Sequence, residues 1–233
     1  MKNLSNIKIV SLDFGGTLAK ELEDESYAFH EIFNELGFKV NLNEVKRVYA
    51  DSWKWWLKIK SETGKIWNEN ALADLTRRML RELNLPFNDE IINEVLRMYP
   101  YKLKFKLYDD VKPTLDKLKD MGYPLIIISN VSSTKNLSIY LERLGIKHYF
   151  KYLIGSGTIG FEKPDPRIFH YAVKLVKVKP DEIIHIGDDY EADYLGALNA
   201  GLKAILIDRN NRHGNKNCMR IITLTQIINL IAK

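Results

Sequence analysis

Short apolar runs recur along the chain at residues 7–12, 124–129, 152–155, 183–187 and 204–207, with a weaker one at 220–223. Their hydrophobicity is continuous rather than alternating, which predicts strands buried on both faces, as in a parallel sheet. Between these runs the apolar spacing becomes helical. Residues 134–144 are predicted as a helix closed by Gly145, 166–176 as one opened by Pro166, and 193–200 as one closed by Gly201. Strands alternating with helices imply an α/β fold with a doubly wound parallel sheet, whose ligands bind beyond the carboxyl ends of the strands.

Residues 20–108 break the alternation. Their apolar spacing is helical throughout, with helices expected at 25–36 (Ala28, Ile32, Phe33 and Leu36 turned inward), 43–60, 70–83 and 91–98. The expected organisation is therefore a core domain, 1–19 with 109–233, interrupted by a helical domain, 20–108. Asp109 and Asp110 are expected to cap a returning helix over 111–121. Tyr49, Trp53 and Trp56 share one helical face and are expected in the core of the insertion. Trp55 lies off that stripe, where it can face a cleft, a partner copy or its own domain. The stretch 101–106 alternates basic and apolar residues, which suits an extended connector with a solvated lysine side, or a positive rim for anions. The polar tail 209–218 reads as a surface loop before a closing helix, 225–231, and is assigned no function.

Composition narrows the class. Of 233 residues, 45% are hydrophobic and 28% charged, the balance of a soluble globular protein. No run is long enough to cross a bilayer, and the N-terminus carries no secretory h-region. A single cysteine, Cys218, forms no internal disulfide, so a cytoplasmic location is expected. The net charge of +5 comes from basic residues scattered among 30 acidic ones, which argues against a nucleic-acid partner.

Four motifs fall at predicted strand ends. Asp13-Phe14-Gly15-Gly16-Thr17-Leu18 puts a carboxylate before two glycines, allowing a bound anion close to the backbone; it also suits a turn. Ser129-Asn130 offers a hydroxyl and main-chain N–H groups to phosphate oxygens, or a capping turn. In Glu162-Lys163-Pro164-Asp165-Pro166 the lysine sits just before a proline-started helix, placed to neutralise a transferring group or left as a surface lysine. Gly187-Asp188-Asp189-Tyr190-Glu191-Ala192-Asp193 gathers carboxylates that suit a hard cation, although Asp189 or Asp193 also suits a helix cap.

In this order the motifs resemble those of the haloacid dehalogenase superfamily, and the helical insertion resembles its C1-type cap. The resemblance implies a nucleophile at Asp13, forming an aspartyl intermediate that water hydrolyses. It implies charge stabilisation by Lys163 and phosphate binding by Gly16, Thr17, Ser129 and Asn130. Mg²⁺ would be held by Asp13, the main-chain carbonyl of Gly15 and Asp188, with Asp189 and Asp193 in supporting positions. The implied substrate is a small phosphorylated molecule, and the implied assembly a monomer or homodimer.

One position departs from the family's phosphatases. They carry an acid–base aspartate two residues after the nucleophile, and here that residue is Gly15. Three readings follow. A Mg²⁺-dependent phosphatase would use good leaving groups or borrow an acid from the insertion, with His30, Glu21 and Asp24 as candidates. A dehalogenase-like or phosphonatase-like enzyme would not need that aspartate; the phosphonatase would need a lysine such as Lys54, Lys58 or Lys65. A protein without turnover would bind a phosphorylated ligand or a partner. The persistence of Lys163, Ser129 and the acidic cluster favours the first.

Overall fold

A computed structural model describes Leu4 and residues 6–231; the other terminal positions of the expected core, 1–3, 5, 232 and 233, lie outside the described residues. The chain opens with β1 (Ile9–Leu12) and β2 (Ala19–Glu21). Four helices follow, α1 (Glu25–Glu35), α2 (Leu42–Thr63), α3 (Glu69–Glu82) and α4 (Asp89–Lys102), and then β3 (Phe105–Leu107). It continues through α5 (Val111–Asp120), β4 (Leu125–Ser129), α6 (Thr134–Arg143), β5 (Phe150–Gly155), α7 (Ser156–Ile159), α8 (Pro166–Val176) and β6 (Ile183–Gly187). A π-helical turn, Tyr190–Leu195, leads into α9 (Gly196–Asn199), β7 (Lys203–Ile207), β8 (Arg220–Ile221) and α10 (Gln226–Ile231).

The expected strands all enter one sheet, in the order β5-β4-β1-β6-β7-β8, and every pairing is parallel. Their unbroken apolar runs are explained by burial on both faces. Val10, Leu12, Ile127, Ile184 and Ile186 pack to one side. Ile9, Ile126, Ile128 and Ile154 pack to the other, against Ile168, Phe169 and Ala172 of α8. The winding direction reverses at β1, whose neighbours are β4 and β6. That reversal opens a crevice at the carboxyl ends of these three strands, where Asp13 follows β1, Ser129 ends β4 and Asp188 follows β6.

The helical insertion packs α1 against α2 and α4 around Phe29, whose ring lies 5.7 Å from Tyr49 and 5.6 Å from Tyr99. Asp24 caps α1 by accepting from the Ser26 N–H. The insertion is not wholly helical, as its spacing suggested: β2 and β3 pair antiparallel at its base, Ala19 opposite Leu107 and Glu21 opposite Phe105. Three-residue strands are too short to leave a period-two signature. Helix α4 also runs past its expected end, through Pro100, because Arg143 donates to the carbonyls of Pro100 and Leu103 at 2.7 and 2.8 Å. The lysines of 101–106 do not all face solvent or form a rim. Lys102 pairs with Glu35, and Lys104 pairs with Glu31 and Glu23 at 2.8 and 2.9 Å.

Two capping expectations are corrected. Asp110 makes no side-chain cap to α5. Its carboxylate instead takes both terminal nitrogens of Arg209, at 2.9 and 3.0 Å, and the Leu224 N–H. Arg209 also donates to the Thr17 carbonyl and stacks on Tyr108, so the tail 209–218 begins with a structural anchor. Asp193 does not open the helix after β6. Asp189 does, accepting from the N–H groups of Glu191 and Ala192, which leaves Asp193 inside the following turn and pointed at the sheet end.

Candidate active site

Asp13 stands directly after β1, its N–H donating to the Ile186 carbonyl of β6 at 2.9 Å. Its carboxylate is almost wholly buried. Oδ1 accepts from the Ser129 hydroxyl at 2.8 Å and from Lys163 Nζ at 2.7 Å. Among the described residues, no hydrogen bond reaches Oδ2. Lys163 is also bound by Asp193, so one buried ammonium serves two buried carboxylates. Asn130 fixes the lysine backbone from both sides: its Nδ2 donates to the Lys163 carbonyl at 2.9 Å, and its Oδ1 accepts from the Lys163 N–H at 2.8 Å.

Of Asp13, Asp188 and Asp193, the last is the most heavily engaged. Oδ1 takes Lys163 and His185 Nε2, and Oδ2 takes the Asp189 N–H at 3.0 Å. Gly187 makes this approach possible, since a β-carbon there would lie 2.1 Å from Asp193 Cγ. Burial disfavours the charge on Asp193, but Lys163 and His185 outweigh it and hold the carboxyl well below the usual range. Burial also opposes the Lys163 charge, yet Asp13 and Asp193 hold the ammonium firmly protonated. Asp13 is raised by burial, an effect that Lys163 only partly offsets. Burial lowers His185, leaving it neutral; Nε2–H then donates to Asp193, while Nδ1 accepts from the Ser11 hydroxyl at 2.8 Å.

Asp188 is the acid without a basic partner. Among the described residues its one side-chain hydrogen bond is from the Thr17 hydroxyl, at 3.4 Å. Burial, followed by repulsion from Asp13 and Asp193, pushes it up to about 7. Carboxylate oxygens of Asp13, Asp188 and Asp193 lie within 4.8 Å of one another, a group that could hold a metal ion. The oxygens of Asp193 are already occupied. A divalent cation binding beside Asp188 would relieve the repulsion that raises it.

Gly16 sets the position of Asp188. It adopts φ +71°, and a β-carbon would sit 2.2 Å from Asp188 Oδ2. Gly16→Ala is therefore expected to cost about 1–2 kcal/mol in left-handed backbone strain and close contact. By moving the Asp188 carboxylate it should also weaken the response to added Mg²⁺ roughly 10–100-fold. Melting curves with and without Mg²⁺ test this; an unchanged Mg²⁺ response would show that Asp188 does not need its present position.

The sequence-predicted residues converge, with exceptions. Asp13, Gly15, Ser129, Asn130, Lys163, Asp188, Asp189 and Asp193 line one cleft of about 340 Å³ between the sheet end and the insertion. Thr17 and Gly16 do not line it. Thr17 is fully buried, and its hydroxyl supports Asp188. Of the acids sought in the insertion, Glu21 lines the cleft, whereas His30 bonds Asn34 and Asp24 caps α1. Trp55 is stacked under Arg78; the indoles in the cleft are Trp53 and Trp67. Sequence reasoning missed Glu25, which also lines the cleft, because a first-turn glutamate reads as an ordinary helix-dipole partner. It also missed His185 and Ser11. Their signal was present: one polar residue in each of two otherwise apolar strands, directly paired in register.

The haloacid dehalogenase-like hydrolase family model matches residues 7–201. The chain is 36% identical over 138 residues to a glyceraldehyde 3-phosphate phosphatase of Methanothermobacter thermautotrophicus, a stretch covering 56% of this chain and 61% of that protein. It spans about half the length of the first curated relatives it matches. Its structure is similar to that of a HAD phosphatase from Thermococcus onnurineus, with 26% identity, a TM-score of 0.67, and 96% and 97% of the two chains covered. It shares its fold with a 2-haloacid dehalogenase from Pseudomonas syringae at 20% identity and a TM-score of 0.76, again over 96% and 97%. Among the described residues, no helix is long and apolar enough to cross a membrane.

Proposed function

Since the chain belongs to the haloacid dehalogenase-like hydrolases, we propose that it is a Mg²⁺-dependent phosphatase acting on a small phosphorylated metabolite in a reducing cytoplasm. The observation that carries this reading is the asymmetry of Asp13: Oδ1 is immobilised by Lys163 and Ser129 while Oδ2 remains free in the cleft. The relatives named as phosphatases lend support, including the glyceraldehyde 3-phosphate phosphatase and a phosphoglycolate phosphatase of Pasteurella multocida.

In this mechanism Oδ2 of Asp13 attacks phosphorus, the bond to the leaving oxygen breaks, and an aspartyl phosphate forms. Water then attacks phosphorus, releasing inorganic phosphate and restoring Asp13. Lys163 keeps its proton throughout and balances negative charge on Asp13 and the phosphoryl oxygens. Ser129 and main-chain N–H groups at Asn130 orient those oxygens. Asp193, with His185 and Asp189 behind it, fixes Lys163; Thr17 steadies Asp188. Mg²⁺, held by Asp13, the Gly15 carbonyl and Asp188, would neutralise further charge on the phosphoryl group. Helices α1–α4 act as a cap that excludes bulk water.

The test is phosphate release from p-nitrophenyl phosphate and acetyl phosphate with Mg²⁺ and with EDTA. Turnover is expected with Mg²⁺ and a loss of about 10²-fold or more in EDTA. Gly15 favours one competing reading, a dehalogenase, because halide leaves without a proton. Halide release from a 2-haloacid in EDTA, without phosphatase turnover, would overturn the proposal. A phosphonatase is disfavoured: Lys54 and Lys58 lie beside Asp51 and Glu62, and neither they nor Lys65 line the cleft.

A further inference from the structure

Gly15 leaves a gap as well as a missing acid. A β-carbon built on it would meet nothing within 4 Å, so the cleft holds open space where the family's acid–base carboxylate would project. Glu25, the first residue of α1, lines the same cleft as Gly15, Asp13, Ser129 and Lys163.

Glu25 is held as a reactive group is held. Tyr99 of α4 donates to its Oε2 at 2.6 Å, and Tyr49 of α2 donates to the same oxygen at 3.0 Å. Three helices thus fix one carboxyl group. Among the described residues no hydrogen bond reaches Oε1. Burial raises the group, the Tyr99 and Tyr49 hydroxyls lower it, and Glu21 and Asp24 raise it again, leaving it at about 6. A carboxyl in that range can both give and take a proton near neutrality. Glu21 also lines the cleft, but it is exposed and, among the described residues, no side-chain hydrogen bond holds it in one orientation.

The geometry points to Glu25 as the proton donor and acceptor of the reaction, supplied by the helical insertion in place of the carboxylate that Gly15 lacks. This rests on the phosphatase reading. As Asp13 Oδ2 bonds to phosphorus and the ester P–O bond breaks, the departing oxygen takes the Glu25 proton and leaves as an alcohol. In the second half the Glu25 carboxylate takes a proton from the attacking water. The new P–O bond forms, the bond to Asp13 breaks, and phosphate departs with Glu25 reprotonated.

The experiment uses phenyl, p-nitrophenyl and 2,4-dinitrophenyl phosphates, similar in shape but graded in leaving-group acidity, with wild type, Glu25→Gln, Gly15→Asp/Glu25→Gln and Asp13→Asn. Glu25→Gln is expected to lose roughly 10²-fold in kcat on phenyl phosphate and less than about threefold on 2,4-dinitrophenyl phosphate, which needs no proton. The double variant should regain about tenfold or more on phenyl phosphate, because the new aspartate enters the open space. A purely structural or substrate-binding role would lower all three substrates equally and gain nothing from Gly15→Asp; either that outcome or an unchanged Glu25→Gln overturns the inference. Loss of the graded response with Asp13→Asn still active, or no wild-type turnover at all, would instead overturn the phosphatase reading and this inference with it.

Discussion

Asp13→Asn should abolish turnover while leaving the protein folded. The amide oxygen is a poor nucleophile, and neither neighbouring aspartate of the acidic group is presented in the same way: the oxygens of Asp193 are occupied, and Asp188 emerges from a different strand. A loss of about 10⁴-fold or more in kcat is expected, equivalent to roughly 5 kcal/mol of barrier. Folding should survive because asparagine keeps an oxygen acceptor for Ser129 and Lys163, and Lys163 keeps Asp193. Burial holds the Asp13 carboxyl above its ordinary value. A carboxyl raised in this way costs stability at every pH above its unfolded value, so removing the charge relieves repulsion at neutral pH. The metal-free variant should melt no lower than wild type. Kinetics and melting curves in EDTA together decide the matter: retained turnover would remove Asp13 as nucleophile, and unfolding would make the kinetic result uninformative about chemistry.

Lys163→Met should injure both activity and stability. Lys163 is 4% exposed, and its ammonium is the basic group shared by Asp13 at 7% and Asp193 at 2%. Without it two buried carboxylates face each other uncompensated, a change that costs about 3–5 kcal/mol. In a chain of this size the melting temperature should drop by roughly 10 °C. Turnover should fall at least about 10²-fold, through loss of charge stabilisation at the phosphoryl group. Adding Asp193→Asn should recover part of the stability and none of the activity. A Lys163→Met melting point within about 2 °C of wild type would show that the buried pairs contribute nothing to folding.

The parallel sheet was legible because strands buried on both faces must be apolar throughout, and β1, β4 and β6 are so but for Ser11, Ser129 and His185. The residues at the strand ends were legible because their chemistry is local: an acid before glycines, a lysine before proline, clustered aspartates. What stayed hidden depends on contacts distant in sequence. Glu25 becomes distinctive only when Tyr49 and Tyr99 arrive from two other helices. Asp110 looked like a cap until Arg209 reached it from beyond β7. Thr17 was expected to bind phosphate, yet the turn buries its hydroxyl against Asp188. Trp53 and Trp55 differ by a rotation of α2, which helical spacing alone cannot align with a cleft formed by other segments.

The short antiparallel pair at the base of the insertion has a consequence for how such a chain can change. Because Glu21 and Phe105 are neighbours in β2 and β3, everything between them leaves and re-enters the core through a single doorway one strand-spacing wide. Among the described residues the core strands make no pairing with that excursion. Length and sequence inside the excursion can therefore drift, or be exchanged for another module, without altering sheet register or the carboxylate geometry at its edge. In the proposed phosphatase, substrate choice and phosphoryl chemistry are thus encoded in separable stretches of one polypeptide, except for the proposed role of Glu25, which stands just inside the doorway.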